Sequence, residues 1–200
     1  MAALAKKAAT AAAAAAAAPL LSNYAKGLSF EELTIELLGP LNFFLRRTGN
    51  AGDGGIDFRG HWRRPQEELQ REQERYLEED DVPIVGQCKN ESKKLGAVRI
   101  REFEAVLLRE PRSVGVFASA TGYSSTALAH FQSSPVPLIL TTISPSSIET
   151  FQMNRAASEA IPSVQFGFRF EYEPSGGGFR RVAMLRWAPN KTRAMMQAAV

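Results

Sequence analysis

The sequence predicts an α/β layered domain, with a mixed central sheet covered by helices on both faces and a C-terminal β-hairpin. Three observations predict it. Continuous apolar runs of the buried-strand kind, SVGVFASATG and PLILTTIS, alternate with helical patterns. Two earlier segments, IDFRGHW and VPIVGQCKN, read as strands close enough in sequence to pair as an antiparallel hairpin across a charged insertion. Near the end, SVQFGFRFEYE and FRRVAMLRW flank PSGGG, a glycine-rich turn.

Taken in order, residues 1–26 are low-complexity and alanine-rich, with side chains too small to offset the ordering entropy of a core. Two early lysines and the absence of acids give this segment the character of a mitochondrial presequence; a secretory signal and a disordered tail are the rivals. The ordered domain is expected over 27–162. In LSFEELTIELLGPL, Leu28, Phe30, Leu33, Ile35, Leu37 and Leu38 include the i, i+3 and i+4 spacings of a buried helical stripe. Ser29 is the expected N-cap, with Glu32 completing a capping box, and Gly39-Pro40 stops the helix. LNFFLRRTG then gives a short strand and GNAGDGG a tight reversal. In the next strand, period two puts Asp57, Arg59 and His61 on one face and Ile56 with Phe58 on the other. The insertion, 63–81, carries eight acids and four bases, the composition of a solvated helix. In VPIVGQCKN, Gln87 and Lys89 share a face while Cys88 points oppositely, into the core. A helix follows in AVRIREFEAVLLREP, with Val98, Phe103, Val106 and Leu107 on its stripe, and another in SSTALAHFQSS, capped by Ser124 or Ser125. Residues 163–200 hold the hairpin and a tail.

Composition narrows the function classes. The formal charge of +3 arises from Lys6, Lys7 and Lys26, ahead of the first acid, so the pI near 9.2 describes a basic tail and says little about nucleic acid. A single cysteine excludes an internal disulfide framework. No run reaches the ~18 apolar residues of a membrane span. Cys88 lacks a neighbouring histidine and reads as a buried thiol; His61 and His130 read as structural.

The order FE on a first helix, RTG and GDGGID on one hairpin arm, QCK on the other, and a later FASATGYSSTA resembles the PD-(D/E)XK restriction-endonuclease fold, in its Mrr-type subgroup. RTGNAGDGGIDFRGHW is also similar to the fungal mitochondrial family called required for respiratory growth protein seven. The resemblance implies a three-layer restriction-endonuclease-like core, a mitochondrial location and magnesium- or manganese-dependent cleavage of DNA phosphodiesters. It implies Asp57 and Gln87 as metal ligands and Lys89 as the group that orients water or stabilises phosphoryl charge. Glu31 and Asp53 are supporting candidates, and Arg46, Arg47, Lys93 and Lys94 are candidate phosphate contacts. Magnesium suits such a set because it takes hard oxygen ligands, often one or two carboxylates plus water and phosphate. Each residue has a plainer reading: Asp53 as a turn former, Glu31 as a solvent-facing helix acid, Asp57 with Lys89 as a strand ion pair. Gln87 removes one charge from the expected site, so a catalytically degenerate nucleic-acid-binding or assembly factor is the alternative. A homodimer is left open.

Overall fold

The structure, a computed structural model, describes residues 23–48, 54–63, 81–161, 164–173 and 177–187. The expected presequence as far as residue 22, most of the charged insertion, Asp53 and the tail beyond Trp187 lie outside these residues.

Helix α1 (Asn23–Leu38) runs through a 3-10 turn (Gly39–Leu41) into β1 (Phe43–Arg47), β2 (Phe58–Trp62) and β3 (Val82–Lys89). Then come α2 (Ala97–Leu107), β4 (Val114–Ser119), α3 (Ser125–Ser133), β5 (Leu138–Ile143), β6 (Ile148–Met153) and α4 (Arg155–Ala160). A hairpin of β7 (Val164–Glu173) and β8 (Gly178–Trp187) closes the described chain. The main sheet has six strands in sequential order, β1 to β6. Pairs β1-β2, β2-β3 and β5-β6 are antiparallel, whereas β3-β4 and β4-β5 are parallel.

Both parallel connections step in the same direction across the sheet, so right-handed crossover places α2 and α3 on the same face. Ile100, Phe103 and Leu107 of α2 and Ala127 and Phe131 of α3 there bury Val85, Phe117, Leu138 and Leu140. The opposite face is covered by α1, whose Phe30 and Leu38 pack with Phe43, Phe58, Trp62, Ile84 and Cys88. The mixed sheet with helices on both faces is the three-layer arrangement that the restriction-endonuclease resemblance implies.

Four expectations are corrected. Helix α1 is already formed at Asn23, ahead of Ser29; the Ser29 hydroxyl donates back to Ala25 O at 2.9 Å, a bond made inside a helix, so it is no cap. Glu32 correspondingly reaches Arg47 at 3.5 Å. On α2 the buried stripe is Ile100, Phe103 and Leu107, and Val98 is exposed. Ile56 does not share the face of Phe58: it is buried beneath α2 and α3, because regular strand alternation begins only at Phe58. Finally, β6 and α4 were not anticipated. The expected cap at Ser124 is present, accepting from Ala127 N at 3.2 Å.

Asn154, between β6 and α4, ties this unanticipated corner together. Its Oδ1 accepts from Leu138 N at 3.1 Å and from Ala157 N at 2.9 Å, while its Nδ2 donates to Val136 O at 2.7 Å. The side chain caps a helix and satisfies a central strand from a buried position. Asn154→Ala is expected to cost about 2–4 kcal/mol in chemical denaturation, because buried partners lose their bonds. Asn154→Asp should not rescue it, since the amide donor is gone.

Candidate functional site

Asp57 and Gln87 are tied together where β2 begins and β3 ends, and Lys89 is the last residue of β3. Asp57 precedes β2; its backbone N donates to Gly86 O at 2.9 Å and its carbonyl accepts from Thr48 N at 3.0 Å. Its carboxylate Oδ2 accepts from the Cys88 backbone N at 2.6 Å. In return, Gln87 Nε2 donates to Gly55 O at 2.6 Å. Each of the two side chains is therefore held by the backbone of the other's arm, a reciprocal clamp that fixes both across the strand pair.

Gly55 makes the clamp possible. Its φ of +86° lies in the left-handed region, and an added Cβ would stand 2.9 Å from Gln87 Nε2. The room that glycine leaves is thus occupied by the Gln87 amide, while Gly54 beside it faces open space. The sequence marks these glycines as part of a tight reversal. The reason Gly55 must be glycine is the approach of a residue from another strand, which only the tertiary structure reveals.

Gln87 is buried to 9% exposure, and its Oε1 makes no hydrogen bond among the described residues. Lys89 follows two positions on, half-buried, with no ion pair among the described residues. Helix α1 closes the other side of the same strand end: Asn90 Nδ2 donates to Lys26 O at 3.2 Å, and the buried Thr34 hydroxyl donates to Phe30 O at 2.7 Å within the helix. This packing brings Glu31 near, with its carboxylate 3.5 Å from Arg47 Nε. Burial pushes the Cys88 thiol far above its ordinary range. The Thr34 hydroxyl and the Lys89 ammonium oppose that shift, and the Asp57 and Glu31 carboxylates add to it. Two carboxylates and one ammonium thus act on a common point. Cys88 is accordingly expected to resist alkylation in the native protein at pH 8 and to react fully in denaturant; rapid native labelling would contradict its placement.

The donor chemistry fits a hard divalent ion of the magnesium kind. Asp57 supplies a carboxylate held in place by Cys88 N, and Gln87 supplies an amide oxygen whose nitrogen is anchored. Glu31 is the nearby second acid. No group of three or more His, Cys, Asp or Glu side chains is gathered among the described residues, so waters and phosphate would have to complete the shell.

The remaining candidates separate. Arg47 is engaged with Glu31 and Glu32, which makes it a tie between β1 and α1, not an available phosphate contact. Arg46 is exposed on β1, and Lys93 and Lys94 are exposed just beyond β3. His61 stacks on Phe44, with ring centroids 5.3 Å apart, and lies 3.4 Å from Asp81. His130 Nε2 lies 2.8 Å from Glu104 Oε2, joining α2 to α3. A groove of about 770 Å³ on the β1-β2-β3 face includes Arg46, Arg59 and His61 and none of Asp57, Gln87 and Lys89.

Residues 22–164 match the family described as Required for respiratory growth protein 7. The chain belongs to this family. The respiratory-growth family match ends at the first residue of β7, so nearly all of the C-terminal hairpin lies beyond it. An uncharacterized mitochondrial protein of Schizosaccharomyces pombe is 29% identical over 127 residues, covering 62% of this chain. The chain spans about half, 47%, of that relative's length. Family and relative together place the protein in the mitochondrion. Among solved structures, the MspJI restriction endonuclease in complex with a 27-mer oligonucleotide is similar at 17% identity and a TM-score of 0.39, over 57% of this chain and 24% of that one. No helix of the described residues is long and apolar enough to cross a membrane.

Proposed function

We propose that this member of the respiratory-growth family is a metal-dependent phosphodiester hydrolase acting on mitochondrial DNA, with its reaction centre at Asp57, Gln87 and Lys89. The observation that carries the reading is the clamp: Asp57 Oδ2 accepts from Cys88 N at 2.6 Å while Gln87 Nε2 donates to Gly55 O at 2.6 Å, which holds the aspartate and the amide at the strand end that also carries Lys89. Asp57 and Gln87 would hold Mg²⁺ or Mn²⁺, with Glu31 as the supporting acid. Such an ion polarises a phosphoryl oxygen and lowers the pKa of an attacking water. The work left to the chain is positioning and charge. The Asp57 carboxylate is held by a buried amide and so loses little freedom when it takes up a ligand. The Lys89 ammonium, without an acidic partner among the described residues, is available to a phosphate oxygen or to the water.

A second reading rests on Gln87. Its amide stands where a second carboxylate would strengthen metal binding, and its nitrogen is spent on Gly55 O. A chain that binds nucleic acid or an assembly partner without hydrolysing anything would keep this arrangement. Purified protein incubated with supercoiled DNA separates the two. Nicked or linear product in Mg²⁺ or Mn²⁺, abolished by chelator, supports hydrolysis. Salt-sensitive binding without product at any divalent concentration supports the second reading.

A further inference from the structure

The hairpin of β7 and β8 has two unlike halves on one face. Phe166, Phe168, Phe170 and Tyr172 alternate along β7 opposite Leu185, Ala183, Arg181 and Phe179 of β8, so all share that face. The inner half is docked: Phe166 stacks on Phe151, with centroids 4.9 Å apart, and Val164, Ala183 and Leu185 pack against the core. In the outer half, Phe170 is 70% exposed, Tyr172 60% and Phe179 73%. Three large rings therefore stand in water on an arm whose base is rigidly anchored. Singly exposed apolar residues are ordinary, but a contiguous aromatic patch marks a surface that is covered in function.

We propose that this outer aromatic face binds single-stranded nucleic acid by stacking bases on Phe170, Tyr172 and Phe179. Charge complementarity selects that occupant. The hairpin carries four arginines against two glutamates, and it has no lysine. Arg169 and Arg180 share one carboxylate, Glu171, at 2.6 and 3.2 Å, which leaves excess positive charge on the reverse face. Arg181 lies 4.3 Å from the Phe168 ring centroid at the point where the exposed half begins, and its guanidinium is ion-paired with Glu149, so the hairpin's excess charge is carried by the arginines of the reverse face. Aromatic rings flanked by arginines are the ingredients of sequence-tolerant binding to unpaired strands. Alternate positions along a strand are about 6.6–6.8 Å apart, two stacking layers of ~3.4 Å, so a base can enter between neighbouring ring positions. A duplex offers no free base faces, and of the three exposed rings only Tyr172 carries a group able to read a base edge.

Area argues against a second copy of the chain. A Phe or Tyr buries roughly 150–250 Å², so three rings at these exposures offer roughly 400 Å² per copy, about half of the ~800 Å² per partner of a stable interface. The inference goes beyond hydrolysis at Asp57 and does not depend on it, because binding at the arm needs no metal.

Fluorescence anisotropy with labelled oligo-dT and oligo-U, in chelator, tests it on the full chain. Wild-type protein should bind both without added metal, whereas Phe170→Ala/Phe179→Ala should weaken binding roughly tenfold or more. Phe170→Leu/Phe179→Leu keeps an apolar strand face and separates stacking from loss of the hairpin: it should bind nearly as poorly, with an unchanged circular dichroism spectrum. The two oligonucleotides distinguish DNA from RNA. The proposal is overturned if wild type binds neither, if the leucine variant binds as wild type does, or if sedimentation shows a wild-type dimer that the alanine variant dissolves.

Discussion

Asp57→Asn is expected to lose DNA cleavage by about 10²-fold or more while the protein stays folded. The substitution is nearly isosteric and retains an oxygen that can accept from Cys88 N, where Asp57 Oδ2 now accepts at 2.6 Å. What it removes is the charge that would hold the ion. Asp57→Ala is a less clean probe, since it also strips the bond from a backbone amide in the buried Cys88 segment, at a cost of about 1–3 kcal/mol. The pair is therefore diagnostic: equal loss of cleavage, but a lower denaturation midpoint only for alanine. Lys89→Ala should give a similar loss of cleavage with no change in stability, as its ammonium pairs with no acid among the described residues. Cleavage retained in both Asp57→Asn and Lys89→Ala would move the chemistry elsewhere.

Gly86→Ala is expected to be strongly destabilising, by about 3–5 kcal/mol, enough to unfold a marginally stable domain. Gly86 lies in β3 directly opposite Phe58 of β2, whose ring is fully buried under α1. A Cβ at position 86 would stand 1.9 Å from two atoms of that ring. The ring cannot give way, because it belongs to the packed cluster that holds Trp62, Ile84 and Val116. Phe58→Ala alone should cost a similar ~3–5 kcal/mol, here by leaving a cavity. In Gly86→Ala/Phe58→Leu part of the loss should return, since the smaller side chain makes room for the methyl. The measurement is denaturant unfolding of wild type, Gly86→Ala, Phe58→Leu and the Gly86→Ala/Phe58→Leu double variant, and strict additivity would contradict a direct clash.

Much of the fold was legible because the signals were local. Apolar runs of six to eight residues gave the parallel strands β4 and β5, and period two correctly separated Cys88 from Gln87 and Lys89. The antiparallel pairing of β2 and β3 was legible too, although the segment joining them is largely outside the described residues. What escaped depended on distant contacts. Strand β6 buries Ile148 and Phe151, three apart, which is not a strand period, and its partner β5 supplies the reason. Ser29 looked like a cap because Ser, Glu and an apolar stripe also occur inside helices. Ile56 was assigned to the wrong face because the turn at Gly54 and Gly55 interrupts the alternation before Asp57.

The site was legible in its residue types and not in its construction. Asp57 and Gln87 could be singled out from GDGGID and QCK, yet nothing local shows that each is tied to the other's backbone. Nor does local sequence show that Arg47, one of four basic residues near the motif, is occupied by Glu31 and Glu32. Its neighbour Arg46 points away from that helix into the β1-β2-β3 groove, so two adjacent arginines have separate roles.

A titration of Mn²⁺ into wild-type protein and Asp57→Asn, with plasmid cleavage followed at each concentration, tests the central claim most directly. Saturable binding near one ion per chain, with cleavage rising over the same range and both lost in Asp57→Asn, is the predicted result. Cleavage that proceeds in chelator, or ion binding that is identical in the two proteins, would contradict it.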